Sequence, residues 1–214
     1  MISLAKERLF CLPGVSQNRT MPQPTLHTAR LNLLPLSDEH LDLEAELDAD
    51  PEVMRYLTGR AMTRREVEPV HHRRLETARA APGLGFWVGF DQDTFIGSWI
   101  LQPPHGPDQP KVPGEADLGY RLLRRHWRSG YAAEGARELI RYGFQVLGLT
   151  RIFAQTLAVN TASRATMTAA GLSFTRAFAS TDPDDAVPGA EQGEVEYEIT
   201  RRSWQQRHAG HETV

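Results

Sequence analysis

Asp117-Leu-Gly-Tyr-Arg-Leu-Leu-Arg-Arg-His-Trp-Arg-Ser-Gly-Tyr-Ala-Ala-Glu134 reads as a strand, a basic turn and the opening of a helix in one continuous run. Ala116, Leu118 and Tyr120 alternate with polar neighbours, the period of a half-buried strand. Ala136, Leu139, Ile140 and Phe144 recur at helical spacing, which predicts one amphipathic helix from Ala132 to Leu147, with Gly148 placed to end it. The first amides of such a helix have no intrahelical acceptor, and the helix dipole adds to their pull on an anion. Gly130 lets the backbone approach a ligand closely, and Ala132 is too small to block it. Arg124, Arg125 and Arg128 add positive charge. The turn therefore fits a phosphate or pyrophosphate, and it fits a solvated basic loop equally well. It lacks the GxxxxGK[ST] and GxGxxG patterns, which argues against ATP and NAD.

Upstream, Ala29, Leu31 and Leu33 alternate in a strand that Pro35 ends. Leu41, Leu43, Ala45 and Leu47 follow in a short helix capped from Ser37 or Asp38, and Asp50-Pro51-Glu52 starts a helical turn. Thr63 with Glu66 forms a capping box for a polar helix running to Ala80. Phe86 to Phe90 and Phe95 to Leu101, around Asp91-Gln92-Asp93, predict a hairpin. A proline-stiffened loop occupies 103–114. Downstream come a strand over 151–159, a helix from Ser163 to Ala170 closed by Gly171, and strands over 173–178 and 194–200. Hairpins first and helical crossovers later predict a mixed α/β (α+β) sheet in a single domain.

The 214 residues carry 24 Lys and Arg against 27 Asp and Glu, a net charge of −3. That balance argues against a nucleic-acid partner, although it hides a concentrated basic run from Arg121 to Arg128. Cys11 is the single cysteine, so an intrachain disulfide and a four-cysteine zinc site are excluded. No stretch approaches the run of about 18 apolar residues that a membrane span needs, so no membrane partner is expected. Residues 1–25, with Pro13, Gly14, Pro22 and Pro24, read as a flexible leader, and Met21 is an alternative start. The expected domain is 26–204, followed by a tail over 205–214, in a cytoplasmic protein.

Trp127-Arg-Ser-Gly-Tyr-Ala132 resembles the acyl-CoA pyrophosphate loop of the GNAT superfamily of N-acetyltransferases. Ala116-Asp-Leu-Gly-Tyr-Arg-Leu122 is similar to the preceding strand of its RimJ/RimL-like branch. Asn160-Thr-Ala-Ser163, Ala170-Gly-Leu-Ser-Phe174, Thr28-Ala-Arg-Leu-Asn-Leu33 and Asp50-Pro-Glu-Val-Met-Arg-Tyr56 resemble further elements of that branch, in order. The likeness spans about residues 26 to 204. Trp127 departs from the more frequent Gln or Arg, and Leu172 from Phe. Met167 stands where many members carry a Tyr that acts as general acid, and a thioether donates no proton.

The resemblance implies a mostly antiparallel central sheet of about seven strands flanked by helices. It implies acetyl-CoA as co-substrate, no metal, and direct attack of an amine on the thioester. The amides of Arg128, Ser129, Gly130, Tyr131 and Ala132, flanked by Arg125 and Trp127, would hold the phosphates. A backbone N–H near Leu122 would face the thioester oxygen. Asn160 would bond the pantetheine, or serve only as a turn residue. Ser163 would donate to the leaving thiolate, or only cap its helix. Asp117 is the first choice of general base and Glu115 its substitute; both also fit solvated strand-edge charges. Glu196 and Glu198 fit a face turned to an acceptor amine, and an exposed strand face equally well. His71 and His72 diverge by about 100° on a helix, so they form no metal pair and read as part of a solvated helix. His126 flanks the loop, and Trp87, Phe95 and Trp99 read as sheet packing. The acceptor is a small-molecule or peptide amine, and the resemblance also allows a homodimer. The competing readings are a non-catalytic acyl-CoA sensor and an RNA-binding module built on Arg124 to Arg128.

Overall fold

The computed structural model describes residues 22–106, 108–109, 111–179 and 187–209. Its strands are β1 (Leu26–His27), β2 (Leu31–Pro35), β3 (Gly85–Asp91), β4 (Thr94–Gln102), β5 (Glu115–Leu122), β6 (Arg151–Leu157), β7 (Ser173–Phe178) and β8 (Glu194–Thr200). Its helices are α1 (Leu41–Asp48), α2 (Pro51–Met54), α3 (Arg64–Ala80), α4 (Tyr131–Gln145), α5 (Thr161–Ala170) and α6 (Arg201–Ala209). One eight-stranded sheet runs in the order β1-β2-β3-β4-β5-β6-β8-β7. Every pairing is antiparallel except β5 with β6.

The strand count exceeds the expected seven because the expected first strand turns back on itself at Ala29 and Arg30, and β1 and β2 pair antiparallel with Leu26 opposite Leu33. Thr28 Oγ1 accepts the Leu31 N–H at 2.8 Å and donates to Glu134 at 2.5 Å, which bends the chain between β1 and β2. The β3–β4 hairpin turns at Gln92 and Asp93 as the sequence predicts, with Gln92 in the left-handed region at φ 53°, a conformation that two-residue hairpin turns require.

Two apolar layers sandwich the sheet. On one side α4 and α5 cover Leu31, Leu33, Trp99, Leu118 and Ile152. Gly135 permits the close approach, because a Cβ there would lie 2.4 Å from the Trp99 indole. On the other side α1 and α3 cover Leu36, Phe86, Val88 and Phe95. Burial of Trp87 and Trp99, both fully enclosed, contributes on the order of a few kcal/mol each.

Both ends of the described chain are tied to this core. Gln23 Nε2 donates to the Phe86 carbonyl at 2.7 Å, and the Trp87 indole donates to the Pro24 carbonyl at 2.9 Å. The rest of the expected leader, with Cys11 and Met21, lies outside the described residues. At the other end α6 runs through the expected domain boundary at 204: Trp204 packs on Phe144, and Arg201 Nε donates to the Leu149 carbonyl at 2.7 Å.

Candidate active site

β5 and β6 pair in parallel only over Glu115–Asp117 and Arg151–Phe153, although both strands continue. Leu123 N–H donates to the Ile96 carbonyl, and Leu122 sits opposite Gly97. Antiparallel alternation then turns the N–H and C=O groups of Tyr120 and Leu122 away from β4 and toward β6. Across the gap, the bonds Arg201 N–H to Thr150 and Ala158 N–H to Gly193 turn the backbone of Gln155 and Leu157 toward β5. The Leu157 carbonyl accepts from Asn160 N–H at 2.9 Å, and the Leu122 carbonyl accepts the Trp127 indole at 2.8 Å. The Leu122 N–H is left facing the gap.

The loop beyond β5 carries two left-handed residues, Arg128 at φ 59° and Gly130 at φ 82°, and then becomes α4. No side chain caps this helix. Among the described residues the N–H groups of Arg128 to Ala132 have no backbone acceptor. Consecutive free amides at the start of a 15-residue helix fit a phosphate group. The surround is braced. Glu134 accepts from Thr28, from the Arg30 N–H at 3.0 Å and from Arg30 Nε at 2.7 Å. Burial opposes the Glu134 charge, but these bonds outweigh it and hold the carboxyl below its usual range. Arg30 also donates to the Ser129 carbonyl at 3.0 Å and lies over the Tyr131 ring. The Tyr131 hydroxyl donates to Asp91 at 2.5 Å, and His126 packs edge-on against Tyr131.

The basic run does not converge on this spot. Arg121 points to the opposite face and is buried against Asp48 and Glu44. Arg124 pairs with Asp50 at 3.2 Å and Arg125 with Glu46 at 3.0 Å. Arg128 is exposed and has no acidic partner among the described residues. The reason is alternation along β5, which sends Arg121 to the α1–α3 layer, where the carboxylates are.

Asn160 is the N-cap of α5, a role the sequence assigned to Ser163. Its Oδ1 accepts from Ser163 N–H at 3.1 Å, and its Nδ2 donates to Thr156 at 3.1 Å. Ser163 instead meets Tyr120, whose hydroxyl donates to the Ser163 carbonyl at 3.0 Å and lies 3.3 Å from its Oγ. Burial pushes the Tyr120 hydroxyl up to about 12. Met167 is buried in the core one turn further on. Sequence reasoning passed over Tyr120; its place on the Ala116–Leu118 face was the available signal.

On the opposite face of β5, Glu115 and Asp117 separate in role. Glu115 is paired with Arg151 at 2.8 Å, and Arg151 also binds Glu196 and Glu198, both at 2.6 Å. These are therefore ion-paired groups rather than free strand-edge charges. Among the described residues Asp117 has no arginine partner. Its side chain is 14% exposed, and His105 Nδ1 stands 3.4 Å away. Burial pushes the Asp117 carboxyl up to about 7; Asp108 and Glu196 push the same way, against hydrogen bonds from Gln109 and Gln102. Burial likewise lowers His105, which keeps it neutral near pH 7. His71 does not lie on a solvated face: it is 1% exposed, with Nδ1 2.7 Å from Glu44. Among the described residues no group of three or more His, Cys, Asp or Glu side chains is placed to hold a metal ion, and no helix is long and apolar enough to cross a membrane.

Comparison with known proteins identifies the fold and the family. Residues 30–173 match the family model for the acetyltransferase (GNAT) domain. The chain is 44% identical over 185 residues to the FsC-acetyl coenzyme A-N(2)-transacetylase of Aspergillus fumigatus, covering 85% of this chain and 78% of that one. Among solved structures, the ribosomal L7/L12 α-N-protein acetyltransferase RimL in complex with coenzyme A superposes with a TM-score of 0.71 at 12% identity, over 84% of this chain and 99% of that one. The spermidine N-acetyltransferase of Vibrio cholerae, in complex with CoA and spermine, gives 0.67 at 16% identity, over 83% and 99%. These two likenesses show the fold; the family model and the Aspergillus relative show more, and the chain belongs to the GNAT acetyltransferase family.

Proposed function

We propose that the protein is an acetyl-CoA-dependent N-acetyltransferase acting on a primary amine. The observation that carries this reading is the Leu122 N–H facing the β5–β6 gap beside an uncapped helix N-terminus at Gly130. When bound, acetyl-CoA supplies an activated thioester. The amides of Arg128 to Ala132 hold its phosphates, with the Arg128 guanidinium alongside. The Leu122 N–H points at the thioester oxygen and stabilises the charge that grows there. The Trp127 indole, bonded to the Leu122 carbonyl, fixes the strand end where that N–H is displayed.

Asp117 takes the proton from the acceptor ammonium. Its carboxyl, raised to about 7, is partly ionised at neutral pH and basic enough to accept a proton. Leu122 to Asp117 is five strand residues, roughly 17 Å, so the proton travels through a chain of water. Ser163, held by the Tyr120 hydroxyl, donates toward the leaving sulfur in place of the tyrosine that Met167 replaces. Asn160 serves this step by capping α5. The relative's name puts its acceptor at an N(2) amine of FsC, and we take the same class of amine as the first acceptor to try.

The test is thermal stabilisation by acetyl-CoA, followed by free-thiol release with an amine panel that includes FsC. Stabilisation and amine-dependent thiol release are expected. Absence of stabilisation overturns the reading, and binding without thiol release identifies a sensor instead.

A further inference from the structure

The peptide between Ser129 and Gly130 is held from behind. Arg30 Nη1 donates to the Ser129 carbonyl at 3.0 Å. Among the described residues every peptide bond is trans, and in a trans peptide the N–H points opposite to the carbonyl. The Gly130 N–H is therefore displayed on the side away from Arg30. The next peptide is held in the same way. The Glu134 N–H donates to the Gly130 carbonyl at 3.1 Å, which closes the first turn of α4 and turns the Tyr131 N–H out of the helix start. One pair of residues thus fixes two consecutive amides of the loop. The pair is itself locked. Glu134 accepts from Thr28 Oγ1 at 2.5 Å, from the Arg30 N–H at 3.0 Å and from Arg30 Nε at 2.7 Å, and Arg30 Nη2 stands 2.6 Å from the same carboxylate. The Arg30 guanidinium also lies 4.1 Å from the centre of the Tyr131 ring. The loop needs such a hold, because Arg128 at φ 59° occupies the left-handed region, which an L side chain disfavours.

We infer that Arg30 and Glu134 are positioning residues for acetyl-CoA: they touch no phosphate themselves, and they hold the peptides over 129–131 in the orientation that does. This rests on the reading of the Arg128 to Ala132 amides as the phosphate site. Two observations separate the role from direct binding by Arg30. The guanidinium stands on the carbonyl side of the Ser129–Gly130 peptide, opposite to the N–H that meets the ligand. Its charge is also matched by the Glu134 carboxylate, which the pairing holds ionised. Long-range electrostatics taken alone gives the opposite expectation for Glu134, because an anion in the first turns of α4 repels a phosphate at the helix start. The sign of a Glu134 substitution therefore tells loop positioning from charge.

The test titrates the full chain with acetyl-CoA and with S-acetylpantetheine, which carries the thioester arm without phosphates. Ligand-observed NMR at millimolar concentration reads the weaker probe, and each titration is run well below the variant's own melting temperature. Arg30→Ala is expected to weaken acetyl-CoA about ten-fold and Glu134→Gln several-fold, while both bind S-acetylpantetheine as the parent does. Arg30→Lys keeps the ion pair, but a single ammonium does not span the Glu134 carboxylate and the Ser129 carbonyl together. This milder variant is expected to lose affinity for acetyl-CoA alone, and it carries the test if Arg30→Ala does not fold. Tighter acetyl-CoA binding by Glu134→Gln overturns the inference and makes the freed Arg30 a phosphate ligand. Equal losses for the two probes overturn it in favour of a clamp that only holds the fold, and unchanged acetyl-CoA affinity in the Arg30 variants overturns it outright. The N-acetyltransferase reading fails separately, through absence of acetyl-CoA binding by the parent.

Discussion

Asp117 holds its proton to about pH 7 in the fold, whereas an unfolded aspartate releases it near 3.9. The folded state therefore binds this proton more tightly, and the direction of the linkage is fixed. The group burdens the fold least below the unfolded value, and its cost grows as pH rises from about 4 to about 7. Asp117→Asn removes the cost and the base together. Denaturant unfolding of the variant is expected to show a gain of roughly 2–4 kcal/mol at pH 8, and a smaller one at pH 5. Its kcat/KM falls by about 10² or more. The parent enzyme's kcat/KM rises through an apparent pKa of about 7, and that limb disappears in the variant. A variant with full activity, or one less stable at pH 8 than the parent, removes Asp117 from the chemistry.

Among the elements, α4 matters most to the site, and its N-terminus depends on Gly130. A Cβ at Gly130 would have only Arg30 Nη2 near it, at 3.5 Å, so space is not the issue. The cost lies in φ 82°, which an L side chain occupies at roughly 1–2 kcal/mol. Gly130→Ala is expected to lower Tm by about 2–8 °C and to weaken acetyl-CoA binding by about ten-fold as the loop relaxes away from its left-handed turn. A melt and an acetyl-CoA titration check both, and unchanged affinity moves the phosphates elsewhere. Elements with local causes were legible in the sequence. The Thr63–Glu66 capping box is present, with the Thr63 N–H donating to Glu66 at 2.8 Å, and Gly171 ends α5 at φ 101°. What escaped depends on distant partners. The turn between β1 and β2 is held by Glu134, 106 residues from Thr28. Asn160 caps α5 because Thr156 on β6 orients its amide. Arg121 looked like part of a phosphate patch because its carboxylates lie on α1. The gap between β5 and β6 has no periodic signature, and the sequence reading did not contain it.

Across the whole molecule, a buried charge network ties the α1–α3 layer to the strand that displays Leu122. Glu44 and Asp48 come from α1, His71 and Arg74 from α3, and Arg121 from β5. Burial, with the neighbouring Arg121 charge, lowers Arg74 to about 10 despite its bond to Glu44. Among the described residues Asp48 Oδ2 and His71 Nε2 are buried without a hydrogen-bond partner, so the network carries polar groups at a cost rather than adding surplus stability. Asp48→Ala leaves the buried Arg121 with Glu44 at 3.8 Å as its one acidic partner among the described residues, and denaturant unfolding is expected to show a loss of roughly 3–5 kcal/mol. Asp48→Leu combined with Arg121→Met replaces the pair with apolar volume and is expected to return to within about 1–2 kcal/mol of the parent. The activity of that double variant tells anchoring from packing. If the network sets where β5 places the Leu122 N–H, kcat stays low although stability is restored. If kcat recovers with stability, the charges serve only to hold the two layers together, and the site owes its geometry to β5 and α4 alone.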